Sequence, residues 1–218
     1  MNRRELFADV TGIGAHPSMA RACSGADLIP NVLLRTHENV PVRFYDDLVK
    51  GRQVLINMMY ASCESYCPAI TTRLVEIHNA LAKRMGRDLF MYSITLKPDE
   101  DDPAALKAFA SMHRALLPGW TFLTGDAYDI ETLRFALFRH NHIKLDLDPQ
   151  THTGRLRIIN DAINRWVHVA PFASKATVLQ HISWADPPKT LEQRLEENRR
   201  LQQRIGEEVE QFGYRKVS

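Results

Sequence analysis

The chain has 218 residues, of which 44% are hydrophobic and 25% charged, with 28 Lys and Arg against 26 Asp and Glu. That balance fits one ordinary globular domain with appendages, and a formal net charge of +2 leaves no broad basic field for gripping nucleic acid. The longest apolar run, Val54 to Ala61, is broken by Asn57 and falls far short of the roughly 18–20 residues of a membrane span. Three cysteines are too few for a disulfide framework.

Residues 1–28 contain Arg3-Arg4, a weakly apolar stretch from Val10 to Ala15, and Ala20-Arg21-Ala22 in the small-x-small form of a cleavage site. That order is similar to a twin-arginine export signal. It points to the periplasm or the outer face of the inner membrane, although Asp9, His16 and Arg21 interrupt the apolar part and leave a cytoplasmic location open.

From residue 29 the pattern becomes that of a folded domain. Val32-Leu33-Leu34 and Val42-Arg43-Phe44 flank His37-Glu38-Asn39 and predict a hairpin. Val54 to Tyr60 is a nearly continuous apolar run of strand length, as expected of a strand covered on both faces. Cys63-Glu64-Ser65-Tyr66-Cys67-Pro68 follows, then Ile70, Leu74, Ile77, His78 and Leu81 at helical spacing. Leu89 to Ile94 predicts a second buried strand. An acidic turn, Asp99 to Asp102, precedes a helix starting at Pro103 and is expected to cap it or to be solvated.

Trp120 to Leu123 predicts a third strand, with a helix through Ile130, Leu133 and Leu137 after it. Arg155 to Asn160 and Arg165 to Val169 alternate polar and apolar residues, as half-exposed antiparallel edge strands do. Beyond Pro187-Pro188, residues 187–218 change character. Leu191, Leu195, Leu201, Ile205, Val209 and Phe212 stand among Glu, Gln and Arg, which predicts an amphipathic helix able to lie on the domain or pair with another chain as a homodimer.

The chemistry rests on Cys63 and Cys67. Two thiols at i and i+4, straddling the start of a helix, face the unpaired N–H groups of its first turn, which favours thiolates. Such a pair can form a disulfide, exchange with another thiol, or hold a soft metal. The plain alternative is two small buried residues with no chemistry. Structural zinc is disfavoured, because no second cysteine pair completes a tetrahedral site. Glu64, inside the motif, is expected to raise the thiol pKa values, while Tyr60 and Tyr66 flank the sulfurs.

Val42 to Gly51, Val54-Leu55-Ile56-Asn57, Cys63-x-x-x-Cys67-Pro68, Ser93-Ile94-Thr95-Leu96-x-Pro98-x-x-Asp101-Asp102-Pro103 and Pro118 to Gly125 together resemble the Sco/SenC family of copper-handling proteins. The resemblance covers roughly residues 31–185. It implies a thioredoxin-like α/β fold with an N-terminal hairpin, late antiparallel edge strands and an appended C-terminal helix. It also implies one copper ion, Cu(I) or Cu(II), held by both motif cysteines and a distant histidine and delivered to the dinuclear copper site of cytochrome c oxidase.

Of nine histidines, His152 occupies the family's ligand position, in a loop before the late strands, with His140 and His142 as alternatives. Thr151 stands where relatives often carry Asp, so an orienting carboxylate is sought at Asp146 or Asp148. Expected partners are the copper-site subunit of the oxidase or another copper or thiol protein. The competing reading is a thiol-disulfide oxidoreductase, in which Cys63 attacks and Cys67 resolves. Cys23 stands apart as a free thiol or, in an exported chain, a lipid-anchor site.

Overall fold

The computed structural model describes residues 28–138, 155–170 and 172–212. Its centre is one seven-stranded sheet, ordered β2-β1-β5-β4-β3-β6-β7. The strands are β1 (Leu33–Thr36), β2 (Pro41–Arg43), β3 (Gln53–Met59), β4 (Leu89–Thr95), β5 (Trp120–Gly125), β6 (Leu156–Asn160) and β7 (Arg165–Val169). β3, β4 and β5 run parallel, whereas β1 and β6 add antiparallel on either side and each carries a hairpin partner at the sheet edge. The helices are α1 (Tyr66–Ala80), α2 (Pro103–Met112), α3 (Ala127–Phe138), α4 (Lys175–Trp184) and α5 (Leu191–Phe212). This is the expected thioredoxin-like α/β arrangement.

Every residue of β3 is buried, as a strand covered on both faces requires. Leu55 and Met59 pack with Ile70 and Leu74 of α1, Leu106 and Phe109 of α2, and Val178 of α4. Val54, Ile56 and Met58 point the other way, toward Ile130, Leu133 and Leu137 of α3 and a single π-helical turn at Phe44–Val49. The strand period of two thus divides the apolar side chains into two cores, one on each side of the sheet.

Polar groups within the sheet are paired rather than solvated. Trp120 Nε1 donates to Ser93 Oγ at 2.9 Å and Ser93 Oγ donates to Asn57 Oδ1 at 2.7 Å, linking three parallel strands.

Two features differ from the sequence reading. β6 is not an edge strand: it lies between β3 and β7 with all five residues buried. Its polar alternation misleads because Arg157 is itself buried, donating from Nε to the Leu137 carbonyl at 2.6 Å, with the Phe138 and Trp166 rings 5.8 and 5.9 Å from its guanidinium. Such snorkel-free burial is tolerable because the charge is offered a carbonyl and two ring faces. The second difference is α4, which has no counterpart in the sequence reading. It starts at Ser174, whose hydroxyl accepts from the Thr177 amide.

The C-terminal helix forms as expected. Thr190 and Gln193 build a reciprocal cap, each side chain accepting from the other's amide, at 3.2 and 2.9 Å. Among the described residues no helix is long and apolar enough to cross a membrane.

Candidate metal and thiol centre

Cys63 and Cys67 lie at the carboxyl ends of the parallel strands, the place where open α/β sheets present loops for function. β3 ends at Met59, whose carbonyl accepts from the Leu96 amide at 2.7 Å, so the loop after β3 and the loop after β4 emerge side by side. The first carries Tyr60, Ala61, Ser62 and Cys63; the second carries Lys97, Glu100 and Asp101. α1 begins at Tyr66, which puts Cys67 and Pro68 in its first turn.

Both cysteines are buried, at 5% and 1% exposure for Cys63 and Cys67. No side chain caps α1 at Ser65. Instead the Cys63 sulfur accepts from the Cys67 amide at 3.4 Å, taking the place of a capping oxygen.

The two thiols differ in proton affinity. Burial pushes Cys63 up, but hydrogen bonds from the Cys67 amide, the Cys67 thiol, the Ser65 amide and the Tyr60 hydroxyl outweigh it, leaving the group below the ordinary thiol range. Cys67 is pushed up to about 12, first by burial and then by its hydrogen bond to Cys63, helped by the negative charges of Cys63 and Asp101. The expectation that the helix start lowers both therefore holds for Cys63 alone. At Cys67 desolvation wins over the hydrogen bond to the Tyr60 main chain. Glu64 is exposed and is not among the groups that shift either thiol.

Several residues around the thiols were not singled out by sequence as site residues. Asp101 was read as part of a capping or solvated acidic turn. Asp102 is the N-cap of α2, accepting from the Ala105 amide at 2.7 Å. Asp101 is 2% exposed and accepts from Thr95 Oγ1 at 2.5 Å and the Ala61 amide at 2.9 Å, pinning the cysteine loop to the end of β4. Lys97 places its ammonium 4.8 Å from the centre of the Tyr60 ring and pairs with Glu100 at 3.1 Å. Ser62 Oγ donates to the same Glu100 at 3.3 Å. Tyr66 is half exposed, its ring 5.7 Å from that of Phe172.

His152, His140, His142, Asp146, Asp148 and Cys23 lie outside the described residues. Among the described residues no group of three or more His, Cys, Asp or Glu could hold a metal ion. Two buried sulfurs form a soft donor pair suited to Cu(I).

Comparison with known proteins agrees with this fold. The chain is 32% identical over 89 residues to the SCO1 protein homolog of Bacillus subtilis (strain 168), a stretch of 41% of this chain and 45% of that protein. The sequence matches span about half the length of the relatives concerned. In fold, the chain resembles BsSco, described as a member of the Sco family of cytochrome c oxidase assembly proteins with a disulfide switch. The TM-score is 0.59 at 20% identity, covering 72% of this chain and 92% of the other. It also resembles copper-bound ScoI of Bradyrhizobium japonicum, with a TM-score of 0.54 at 20% identity, covering 71% and 96%. Residues 34–185, well over half of the sequence, match SCO1/SenC, and the chain belongs to that family.

Proposed function

We propose that the chain is a copper carrier that binds one copper ion through Cys63, Cys67 and His152 and hands it to the dinuclear copper site of cytochrome c oxidase. The observation that carries this reading is the buried pair of sulfurs at the start of α1, where the Cys67 amide donates to the Cys63 sulfur at 3.4 Å. Cys63 and Cys67 would hold Cu(I) as soft sulfur donors, and the Cys67 proton would be released on binding. Three ligands leave an open edge, so an incoming ligand binds before an outgoing one leaves. Family membership and the copper-bound relative support the choice of metal. The partners are then the oxidase copper-site subunit, or another copper or thiol protein, and a second copy of the chain through α5. The export-like residues before the domain support action outside the cytoplasm.

Unequal thiols also favour a second reading as a thiol-disulfide oxidoreductase. The Cys63 thiolate would attack a partner disulfide to form a mixed disulfide. Cys67, after losing its proton, would attack the Cys63 sulfur, releasing the partner as a dithiol and leaving a Cys63–Cys67 disulfide. Two electrons pass to the partner, the Cys67 proton passes to the second departing thiolate, and the first takes a proton from solvent.

Anaerobic Cu(I) titration of the reduced chain, with Cys63→Ser, Cys67→Ser and His152→Ala beside it, tests the first reading. One copper retained per chain through gel filtration, and lost in all three variants, is the expected result. Unchanged retention in His152→Ala removes that ligand. No retention in the parent chain, with rapid disulfide exchange, transfers the function to the second reading.

A further inference from the structure

α5 carries its apolar side chains into solvent. Leu191, Leu195, Leu201, Ile205 and Val209 are each at least half exposed, at 50–66%. Glu192, Gln193 and Glu196, from its polar side, line an open groove together with Arg165, Trp184 and Asp186. The helix thus turns its charged side toward the domain and leaves its apolar side uncovered, the reverse of a helix packed on its own core.

The spacing of that apolar side is specific. Leu191, Leu195, Asn198, Gln202, Ile205 and Val209 alternate steps of four and three, which is the seam of a heptad pattern with two polar residues at its middle. Folded back on a second copy about Arg200, the seam is self-complementary. Leu191 meets Val209, Leu195 meets Ile205, and Asn198 meets Gln202, so polar faces polar and apolar faces apolar. Leu201, which flanks the seam, meets its own counterpart across the twofold axis.

A parallel pairing wastes these features. It sets Leu201 against Gly206 and brings Arg194 of each helix to Arg199 of the other, twice. In the antiparallel arrangement only Arg199 meets its like, and Glu196 holds that guanidinium at 3.2 Å on its own helix. Opposed helix dipoles add to the preference. A bilayer surface is a poor occupant, because residues 191–212 carry six carboxylates against four arginines.

We propose that two copies of this protein associate through α5 as an antiparallel helix pair centred on Arg200. This deepens the pairing through α5 put forward above and is independent of copper, since the seam contains neither thiol.

The test uses the full chain with Cys23, Cys63 and Cys67 replaced by Ser, and with Leu191→Cys or Val209→Cys introduced singly. Light scattering is expected to report a dimer of the parent chain and of the cysteine-free chain alike. Mixing the two single variants under mild oxidation is expected to give the 191–209 disulfide, with little 191–191 product. Leu195→Glu with Ile205→Glu weakens self-association about a hundredfold or more, while Gln203→Ala, off the seam, leaves it unchanged. A monomer at all accessible concentrations overturns pairing and register together. A dimer giving 191–191 disulfide overturns the antiparallel register alone. Flotation of the parent chain with phosphatidylglycerol-containing vesicles, abolished by Leu195→Glu with Ile205→Glu, would assign the face to lipid instead. Loss of copper binding with the dimer intact would fail the copper reading and leave this one standing.

Discussion

Cys63 and Cys67 sit four residues apart and reach opposite protonation preferences because different neighbours touch them. Cys63 collects the first-turn amides and the Tyr60 hydroxyl, whereas Cys67 faces a buried carboxylate and a neighbouring sulfur. Iodoacetamide at neutral pH is therefore expected to modify Cys63 first and to leave Cys67 untouched in Cys63→Ser. Cys67→Ala removes the thiol hydrogen bond to Cys63, so the alkylation profile of Cys63 moves to higher pH. Equal rates for the two thiols would refute the asymmetry.

Stability follows from the same shifts. Cys67 is raised above the ordinary 9.0, so its contribution is present below that pH and is lost as pH rises toward about 12. Cys63 is lowered, so its contribution is present above the ordinary value and fades as pH falls through its folded one. Chemical unfolding of the reduced chain is expected to show declining stability above pH 9, with the decline reduced in Cys67→Ser. The thiol pair itself was legible from its spacing and from Pro68. Its asymmetry was not, because Asp101 comes near Cys67 only through the pairing of β3 with β4, and Lys97 reaches Tyr60 by the same route.

At the scale of elements, periodicity was a good guide wherever one residue type had one role. β3, β4 and α1 declared themselves through nearly continuous apolar runs or a clear helical stripe. The guide failed at β6, where a buried arginine imitates an outward-facing position, and at α4, where only Val178 and Ile182 are buried. Close backbone approach is another feature that sequence hides. Gly119 has φ +72°, and a Cβ there would lie 2.2 Å from the Gly86 amide nitrogen, in the loops that feed β4 and β5. Gly51 has φ +70° but open space around it. Gly51→Ala is thus expected to cost about 1–2 kcal/mol from backbone strain alone. Gly119→Ala must also displace backbone, and a loss above about 4 kcal/mol is expected. Urea midpoints of the two variants check this, and similar values would remove close packing of the two loops as the cause.

For the whole molecule, copper binding, protonation and stability form one linked equilibrium under the proposed function. A ligand held only by the folded state adds stability in proportion to the logarithm of its concentration over its Kd. Cu(I) also has to displace the Cys67 proton, because that thiol stays protonated up to about 12. Release of the Cys67 proton alone therefore favours the bound state by about tenfold for each pH unit gained below that value. With free Cu(I) buffered at a constant level, thermal unfolding of the reduced chain is expected to shift upward on loading, and the shift should grow between pH 6 and 8 by at least about 1.4 kcal/mol per unit, the share of the Cys67 proton. Cys67→Ser should show neither the shift nor its pH dependence. A copper-induced shift that is flat across that range would mean that Cys67 enters the complex with its proton already gone or does not enter it at all. The second result would reassign the buried sulfur from cargo ligand to partner of Cys63 in thiol exchange.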